Sequence, residues 1–167
     1  VDVVPDDSYI VELVESTEEL WSGNSMRQMS IVMDGDFYTD PVKVEEMKDV
    51  FSWIQNRTYI LGKVGQRDGH WYDHYVKYLK DNGKDQYADF HELLPDFLSD
   101  PVFKKFRVDV TCIEEDFAKC SGVRASQYWV WQSSISNTAH LYKIEVELND
   151  YIADNGFPSS YTWLNEY

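Results

Sequence analysis

The sequence has little positive charge, and this shortage excludes several kinds of partner. Lys and Arg number 15 against 30 Asp and Glu, which gives the 167-residue chain a formal net charge of -15. No Lys or Arg precedes Arg27 or follows Lys143. An acidic field of this size repels nucleic-acid phosphates and anionic lipid, and it attracts basic surfaces. We therefore expect a protein partner, with a basic surface as one option, and neither nucleic acid nor a membrane.

Cysteines and long apolar runs are also scarce. No apolar stretch reaches the length of a transmembrane helix and no signal-peptide pattern is visible, so we expect a soluble chain of unknown location. Cys112 and Cys120 are too few for a disulfide framework; they either bridge each other or remain reduced, buried thiols. The tripeptide Asn56-Arg57-Thr58 is an N-glycosylation sequon, which requires a secreted context. A secreted glycoprotein with a Cys112–Cys120 bridge is one open interpretation.

Aromatic residues, by contrast, are abundant, with 6 Trp, 12 Tyr and 8 Phe. This bulk and the length of the chain fit one packed domain. We divide the chain into a flexible acidic lead-in at residues 1–8 and one globular domain at residues 9–167. The tail is aromatic as well, and we expect these side chains to pack on the body, because exposing them is costly: Phe157, Tyr161, Trp163 and Tyr167.

Strand patterns flank a helical middle. Residues 9–14 and 28–33 predict N-terminal strands, and apolar alternation predicts a strand over 106–112. Residues 127–134 and 140–148 predict a C-terminal hairpin. Helical patterns occupy residues 41–55, with Asp40 as N-cap, a second segment from Asp68 to Gly83, and a third from about Gln86 that Pro95 interrupts. The sequence predicts an α+β domain whose mainly antiparallel sheet packs against the helical middle.

One stretch of the second helix resembles a metal site. On a helix, the i, i+4 spacing of His70 and His74 puts both imidazoles on one face, and Asp73 adjoins them. His91 on the next helix completes a set of four ligands for a divalent metal. The stretch lacks the zincin Glu, since position 71 is Trp, and we interpret it first as an aromatic packing helix and second as a metal site. The alternative function is therefore a metal-dependent hydrolase or transferase, with Glu92 or Glu145 as acid or base.

An acidic stretch after the second strand invites comparison with a calcium-binding EF-hand loop. The pattern fails at position 6, where Thr39 stands instead of the Gly that the loop requires. We interpret the stretch as a strand-to-helix turn in which Gly35 makes the turn and Asp40 caps the helix.

Trp129 and Trp131 fall on one face of the predicted strand at 127–134. They belong either to the core or to a binding surface, since Trp anchors many interfaces. No coherent catalytic set emerges from the sequence. We therefore expect a non-enzymatic acidic protein that acts through protein–protein contacts, as an assembly component, an inhibitor or a decoy of a nucleic-acid surface. An oligomer is compatible with this expectation.

Overall fold

The computed structural model describes residues 26–64, 69–133 and 138–164. The strands are β1 (Met26–Asp34), β2 (Ile60–Leu61), β3 (Val110–Cys112), β4 (Val123–Ser133) and β5 (Tyr161–Leu164). The α-helices are α1 (Pro41–Gln55), α2 (Trp71–Asp81), α3 (Leu94–Ser99) and α4 (Thr138–Asp154), with 3-10 turns at Lys104–Val108 and Phe117–Lys119. The four helices pack against the sheet in a single α+β domain, which confirms the predicted fold class.

The described strands pair antiparallel, and β4 is the centre of the sheet. β1 follows β4 along almost its whole length, from the pair Met26–Ser133 to the pair Asp34–Ala125. The other edge of β4 is shared by β3 near its start and β2 near its end, so these two short strands lie end to end. β5 adds to the free edge of β1. The predicted antiparallel character of the sheet is therefore confirmed.

Helix α1 forms where the sequence predicts it. The Asp40 carboxylate accepts the backbone N–H of Val42 at 2.9 Å, and Pro41 stands in the first turn, where a missing N–H costs nothing. Before it, Gly35 adopts φ +99°, a left-handed conformation that favours glycine, and this makes the turn out of β1. The interpretation as a strand-to-helix turn is confirmed. One stripe of the helix is buried: Val44, Met47, Val50, Phe51 and Ile54.

The helices cover one face of the sheet, which we call the inner face. Its buried positions are Met29, Ile31 and Met33 on β1 and Ser126, Tyr128, Val130 and Gln132 on β4. An aromatic cluster fills the space above them. The ring of Phe51 lies 4.6 Å from that of Tyr128, and Tyr38 lies 5.1 Å from both Trp71 and Phe90. The Tyr38 hydroxyl is hydrogen-bonded to Ser126 and to the Tyr128 hydroxyl.

Helices α2 and α3 differ from prediction at their starts. Helix α2 begins after His70, whose Nδ1 accepts the backbone N–H of Asp73 at 3.4 Å; the predicted N-cap, Asp68, lies outside the described residues. Residues preceding α3 form turns rather than the helix expected from Gln86. Helix α3 begins only at Leu94, because Pro95 has no N–H to donate and is tolerated in a first turn.

The predicted C-terminal hairpin is wrong. Its first strand exists as β4, but residues 140–148 lie within helix α4. The helix buries Leu141, Ile144, Leu148 and Ile152 at helical spacing, while Tyr142 and Val146 are exposed. Ile144 and Leu148 belong both to the alternating pattern that predicts a strand and to the buried stripe of the helix. These two positions alone therefore do not distinguish a strand from a helix. The long antiparallel partner of β4 is consequently β1.

The remaining strand predictions have mixed outcomes. β1 confirms the strand at 28–33, whereas the strand at 9–14 and the lead-in at 1–8 lie outside the described residues. Of the strand expected over 106–112, only β3 forms, because the 3-10 turn occupies the first part and leaves Val108 78% exposed.

Two further findings concern the pair of cysteines and the hydrophobicity of the helices. Cys112 and Cys120 are joined by a disulfide, with Cα atoms 5.4 Å apart, so the bridged alternative is the one observed. None of the helices in the described residues combines the length and the hydrophobicity that crossing a membrane requires.

Candidate interaction surface

The sheet has a second face, pointing away from the helices, which we call the outer face. Side chains alternate along a strand, so the odd positions of β4 point opposite to the buried Tyr128 and Val130. Residues paired across the strands point the same way as their partners. The outer face therefore includes Gln127, Trp129, Trp131 and Ser133 of β4, Gln28, Ser30 and Val32 of β1, Leu61 of β2, and Tyr161 and Trp163 of β5.

Five large side chains of this face form what we call the aromatic patch: Leu61, Trp129, Trp131, Tyr161 and Trp163. Trp163 is 60% exposed, Tyr161 45% and Leu61 38%. Trp129 and Trp131 are half-buried. Ser30 pairs with Trp129 on one side and with Trp163 on the other. It is only 3% exposed because these two indoles flank it, across three strands that span about 10 Å.

The centre of the outer face carries no charge. The patch and its neighbours Gln28, Ser30, Val32, Gln127 and Ser133 include no Asp, Glu, Lys or Arg, although 27% of the chain is charged. Carboxylates stand at its margin, where Asp34 is exposed at the end of β1 and Asp109 precedes β3. Aromatic enrichment with few charges at the centre and a polar rim is the composition of protein interfaces.

Asp109 fixes the orientation of one patch residue. The indole Nε1 of Trp129 donates a hydrogen bond to Oδ1 of Asp109 at 2.8 Å. Burial raises the pKa of the Asp109 carboxyl, and the hydrogen bond from Trp129 and the charge of Lys105 offset this only in part. Asp109 is therefore partly desolvated at this margin of the outer face.

The structure places Trp129 and Trp131 on one face of β4 as predicted, and it adds to that face two tail residues that we expected to pack on the body. The expectation that the tail packs on the body holds for Phe157, which is buried, but is wrong for Tyr161 and Trp163. Tyr167 lies outside the described residues. The signal that identifies them is the short alternation Tyr-Thr-Trp, in which Thr162 is the buried member.

The structure brings two of the four predicted metal ligands into contact and places the other two against different neighbours. His70 Nε2 lies 3.2 Å from Asp73 Oδ2, and His91 Nε2 lies 2.8 Å from Asp36 Oδ2, a contact without hydrogen-bond alignment. The His74 ring packs 4.9 Å from that of Phe106. Across residues 26–64, 69–133 and 138–164, no three His, Cys, Asp or Glu side chains are grouped so as to hold a metal ion. The metal set stays a prediction.

His70 instead makes contacts that are structural. It caps α2, and its ring lies edge-on to Tyr128 with centroids 5.1 Å apart. Burial lowers the pKa of the imidazole; the nearby Asp73 carboxylate opposes this shift and His74 adds to it. The neutral ring keeps a lone pair for the backbone N–H of Asp73, so the cap and the pKa shift agree.

Comparison with known proteins assigns no family. No protein-family model matches this chain, and no curated protein matches it. The inference of function therefore depends on the geometry of the outer face.

Proposed function

We propose that the protein is a non-enzymatic binding protein whose outer sheet face docks a protein with an apolar patch bordered by Lys and Arg. The observation that carries the proposal is the uncharged aromatic patch at the centre of one sheet face, in a chain with a net charge of -15. Interfaces commonly have an apolar, charge-poor core, and Trp and Tyr are common anchors there.

The apolar chemistry of the partner follows from the patch. Trp163 and Tyr161 leave large areas in water, and covering them with another apolar surface is favourable by about 25 cal/mol per Å². A standard interface buries about 800 Å² per partner, more than these five side chains supply. The uncharged polar positions around the patch, such as Gln28 and Gln127, supply the further contact area and hydrogen-bonding groups.

The basic border of the partner follows from charge. Asp34 and Asp109 lie at the margin of the outer face, and the surrounding chain is strongly acidic. Opposite charges at an interface rim accelerate association and select among partners. A second copy of this chain carries the same -15 charge, which opposes self-association. A nucleic-acid decoy needs carboxylates spread over the binding face, so the uncharged centre favours the roles of assembly component or inhibitor.

Designed peptides test the proposal without a known partner. The probe is a peptide of alternating Leu and Lys, which presents an apolar face beside Lys side chains; matched peptides replace Leu by Ser or Lys by Glu. Binding to the full chain is measured by calorimetry at about 150 mM salt, where interactions between distant exposed charges are screened. We expect the Leu/Lys peptide to bind most tightly. Trp163→Ala and Trp131→Ala should each weaken it by about tenfold or more.

Tyr142→Ala is the matched control, because Tyr142 is 68% exposed but lies on helix α4. It should leave the affinity unchanged within about twofold. The proposal fails if the Ser/Lys peptide binds as tightly as Leu/Lys, since acidity alone then accounts for binding. It also fails if light scattering shows a dimer that Trp163→Ala dissolves, because the occupant of the face is then a second copy.

A further inference from the structure

The segment that joins α1 to β2 presents a glycosylation sequon to solvent. Asn56 and Thr58, whose side chains define the sequon, are both exposed. Arg57, the residue between them, contacts the body of the domain. Its guanidinium lies 3.9 Å from the ring centroid of Trp53, and its Nη1 lies 3.6 Å from Oε1 of Glu147. The side chain of Asn56 makes no hydrogen bond within the described residues, so its carboxamide is available.

The disulfide is a second, independent observation. Disulfides persist in oxidising compartments and are rare where thiols are kept reduced. The bond between Cys112 and Cys120 closes the turn between β3 and β4, and both cysteines are buried. A chain that acquires this bridge in a secretory compartment is exposed there to N-glycosylation.

We propose that Asn56 is an N-glycosylation site and that the protein matures in an oxidising secretory compartment. The donor is an oligosaccharide attached through its anomeric carbon to a lipid pyrophosphate. Nδ2 of Asn56 forms a bond to that carbon, the bond from the carbon to the pyrophosphate oxygen breaks, the lipid pyrophosphate leaves, and Nδ2 loses one proton. No oxidant is required for this step.

The fold keeps such a glycan clear of the aromatic patch. Asn56 is the C-cap of α1, and α1 packs on the inner face, where Phe51 contacts Tyr128. Trp129 and Trp131 point to the opposite side of the same strand. The bulky sugar therefore lies on the helical side of the domain and leaves the outer face open.

The test is expression of the full chain behind a secretory leader in eukaryotic cells. We expect one step of lower gel mobility that an amide-cleaving glycosidase removes, with Asn56 converted to Asp in the released peptide by mass spectrometry. Asn56→Gln and Thr58→Ala should abolish the step, and Thr58→Ser should retain it because Ser also completes the sequon. Free-thiol titration of the denatured, unreduced protein should find neither cysteine free.

The proposal is overturned if protein from the secretory pathway, read from medium and internal membranes alike, has its disulfide closed but unmodified Asn56. Two free thiols in that same material would also overturn the inference that the protein matures in an oxidising compartment. The glycosylated and deglycosylated chains should bind the Leu/Lys peptide with equal affinity within about twofold. A large loss in the glycosylated chain would contradict the placement of the sugar away from the outer face.

Discussion

The inner and outer faces of the sheet are both aromatic, and they differ in what covers them. Tyr128 and Trp129 are neighbours on β4, yet Tyr128 is fully buried under the helices while Trp129 is half-buried at an open surface. On the inner face, rings contact rings, and the Tyr38 and Tyr128 hydroxyls are hydrogen-bonded to each other. On the outer face, the large side chains of β5 remain in water. Aromatic content alone therefore does not identify a core.

This contrast bears on function because exposed aromatic area stabilises nothing by itself. An apolar side chain contributes to the free energy of unfolding only to the extent that folding removes it from water. Trp71 at 0% exposure meets that condition, and Trp163 at 60% largely does not. Exposed aromatic residues such as Trp163 contribute most when another molecule covers them. Matched substitutions on the two faces separate the two kinds of aromatic residue.

The largest expected difference is between two tryptophans. Trp71→Ala should lower the free energy of unfolding by about 3–5 kcal/mol, because it removes a fully buried indole and leaves a cavity among Tyr38, Tyr75 and Phe90. Trp163→Ala should change it by no more than about 0.5 kcal/mol. Urea unfolding followed by far-ultraviolet circular dichroism measures both without relying on tryptophan fluorescence.

If Trp71→Ala does not fold, Trp71→Phe provides the milder test and should still be less stable than the wild type. An equal loss from Trp163→Ala would break the comparison. It would mean that Trp163 is packed within its own chain, and the outer face would then be a second core rather than a docking surface.

The next difference is between two tyrosine hydroxyls. Tyr38→Phe removes the partner that both Ser126 and Tyr128 share on the inner face, and a buried polar group left without its partner costs about 1–3 kcal/mol. Tyr161→Phe on the outer face should be neutral within about 0.5 kcal/mol. Thermal and urea unfolding of the two variants give the comparison. A neutral Tyr38→Phe would show that Ser126 and Tyr128 satisfy each other when Tyr38 cannot.

The sequence predicts the inner face well where local and periodic signals agree. Helix α1 has a capping Asp40, a first-turn Pro41 and an apolar stripe, and all three point to the same boundaries. The aromatic run predicts a strand over 127–134, although β4 begins earlier, at Val123, and the segregation of Trp129 and Trp131 from Tyr128 follows from the two-residue period. Such consistency across levels makes a segment predictable.

Helix α4 shows where that reasoning fails. Ile144 and Leu148 are four residues apart, a separation that fits both a helical stripe and a strand face. Leu141 distinguishes the helix from the strand, because it is buried and fits only the helical pattern. The sequence does not predict where β5 lies in the sheet either, because β5 pairs with β1, 129 to 135 residues earlier in the sequence. The short alternation Tyr-Thr-Trp indicates that Tyr161 and Trp163 share a face opposite Thr162, but a local pattern does not say which of the two faces the rest of the chain covers.

A smaller, pH-dependent effect is expected from His70, on the inner side. Burial lowers its pKa in the folded state below the ordinary value of 6.5, so the unfolded chain takes up the proton first as pH falls. Its contribution to stability is complete above pH 6.5 and is lost as pH falls through the folded pKa, by at most about 1.4 kcal/mol per pH unit.

His70→Asn keeps a side-chain cap for α2 but cannot titrate, so the slope of unfolding free energy against pH below 6.5 should flatten. Asp73→Asn should act in the opposite direction. It removes the carboxylate that partly offsets the shift, so the slope should extend to lower pH. An unchanged slope in both variants would contradict the assignment of acid sensitivity to this imidazole.

Asp109 gives the smallest effect and the opposite sign. Burial raises its pKa in the folded state above the ordinary value of 3.8, so as pH rises the unfolded chain loses the proton first. The folded state is therefore penalised progressively from about pH 3.8 up to its own higher pKa, and the penalty stays above that. Asp109→Asn keeps an oxygen that accepts from Trp129 Nε1 but removes the charge. It should be more stable than the wild type at neutral pH, and the two should converge below pH 3.8 in urea titrations.

This last variant also connects the outer face to its partner. A partner seated on the patch would remove more water from Asp109, and a Lys or Arg of the partner placed against that carboxylate would offset the cost. If such a cation is present, Asp109→Asn should weaken binding of the Leu/Lys peptide, because the ion pair is lost. If it is absent, the same variant should strengthen binding, because no charge is left to desolvate. The sign of the change in affinity thus decides whether the basic border of the partner reaches Asp109.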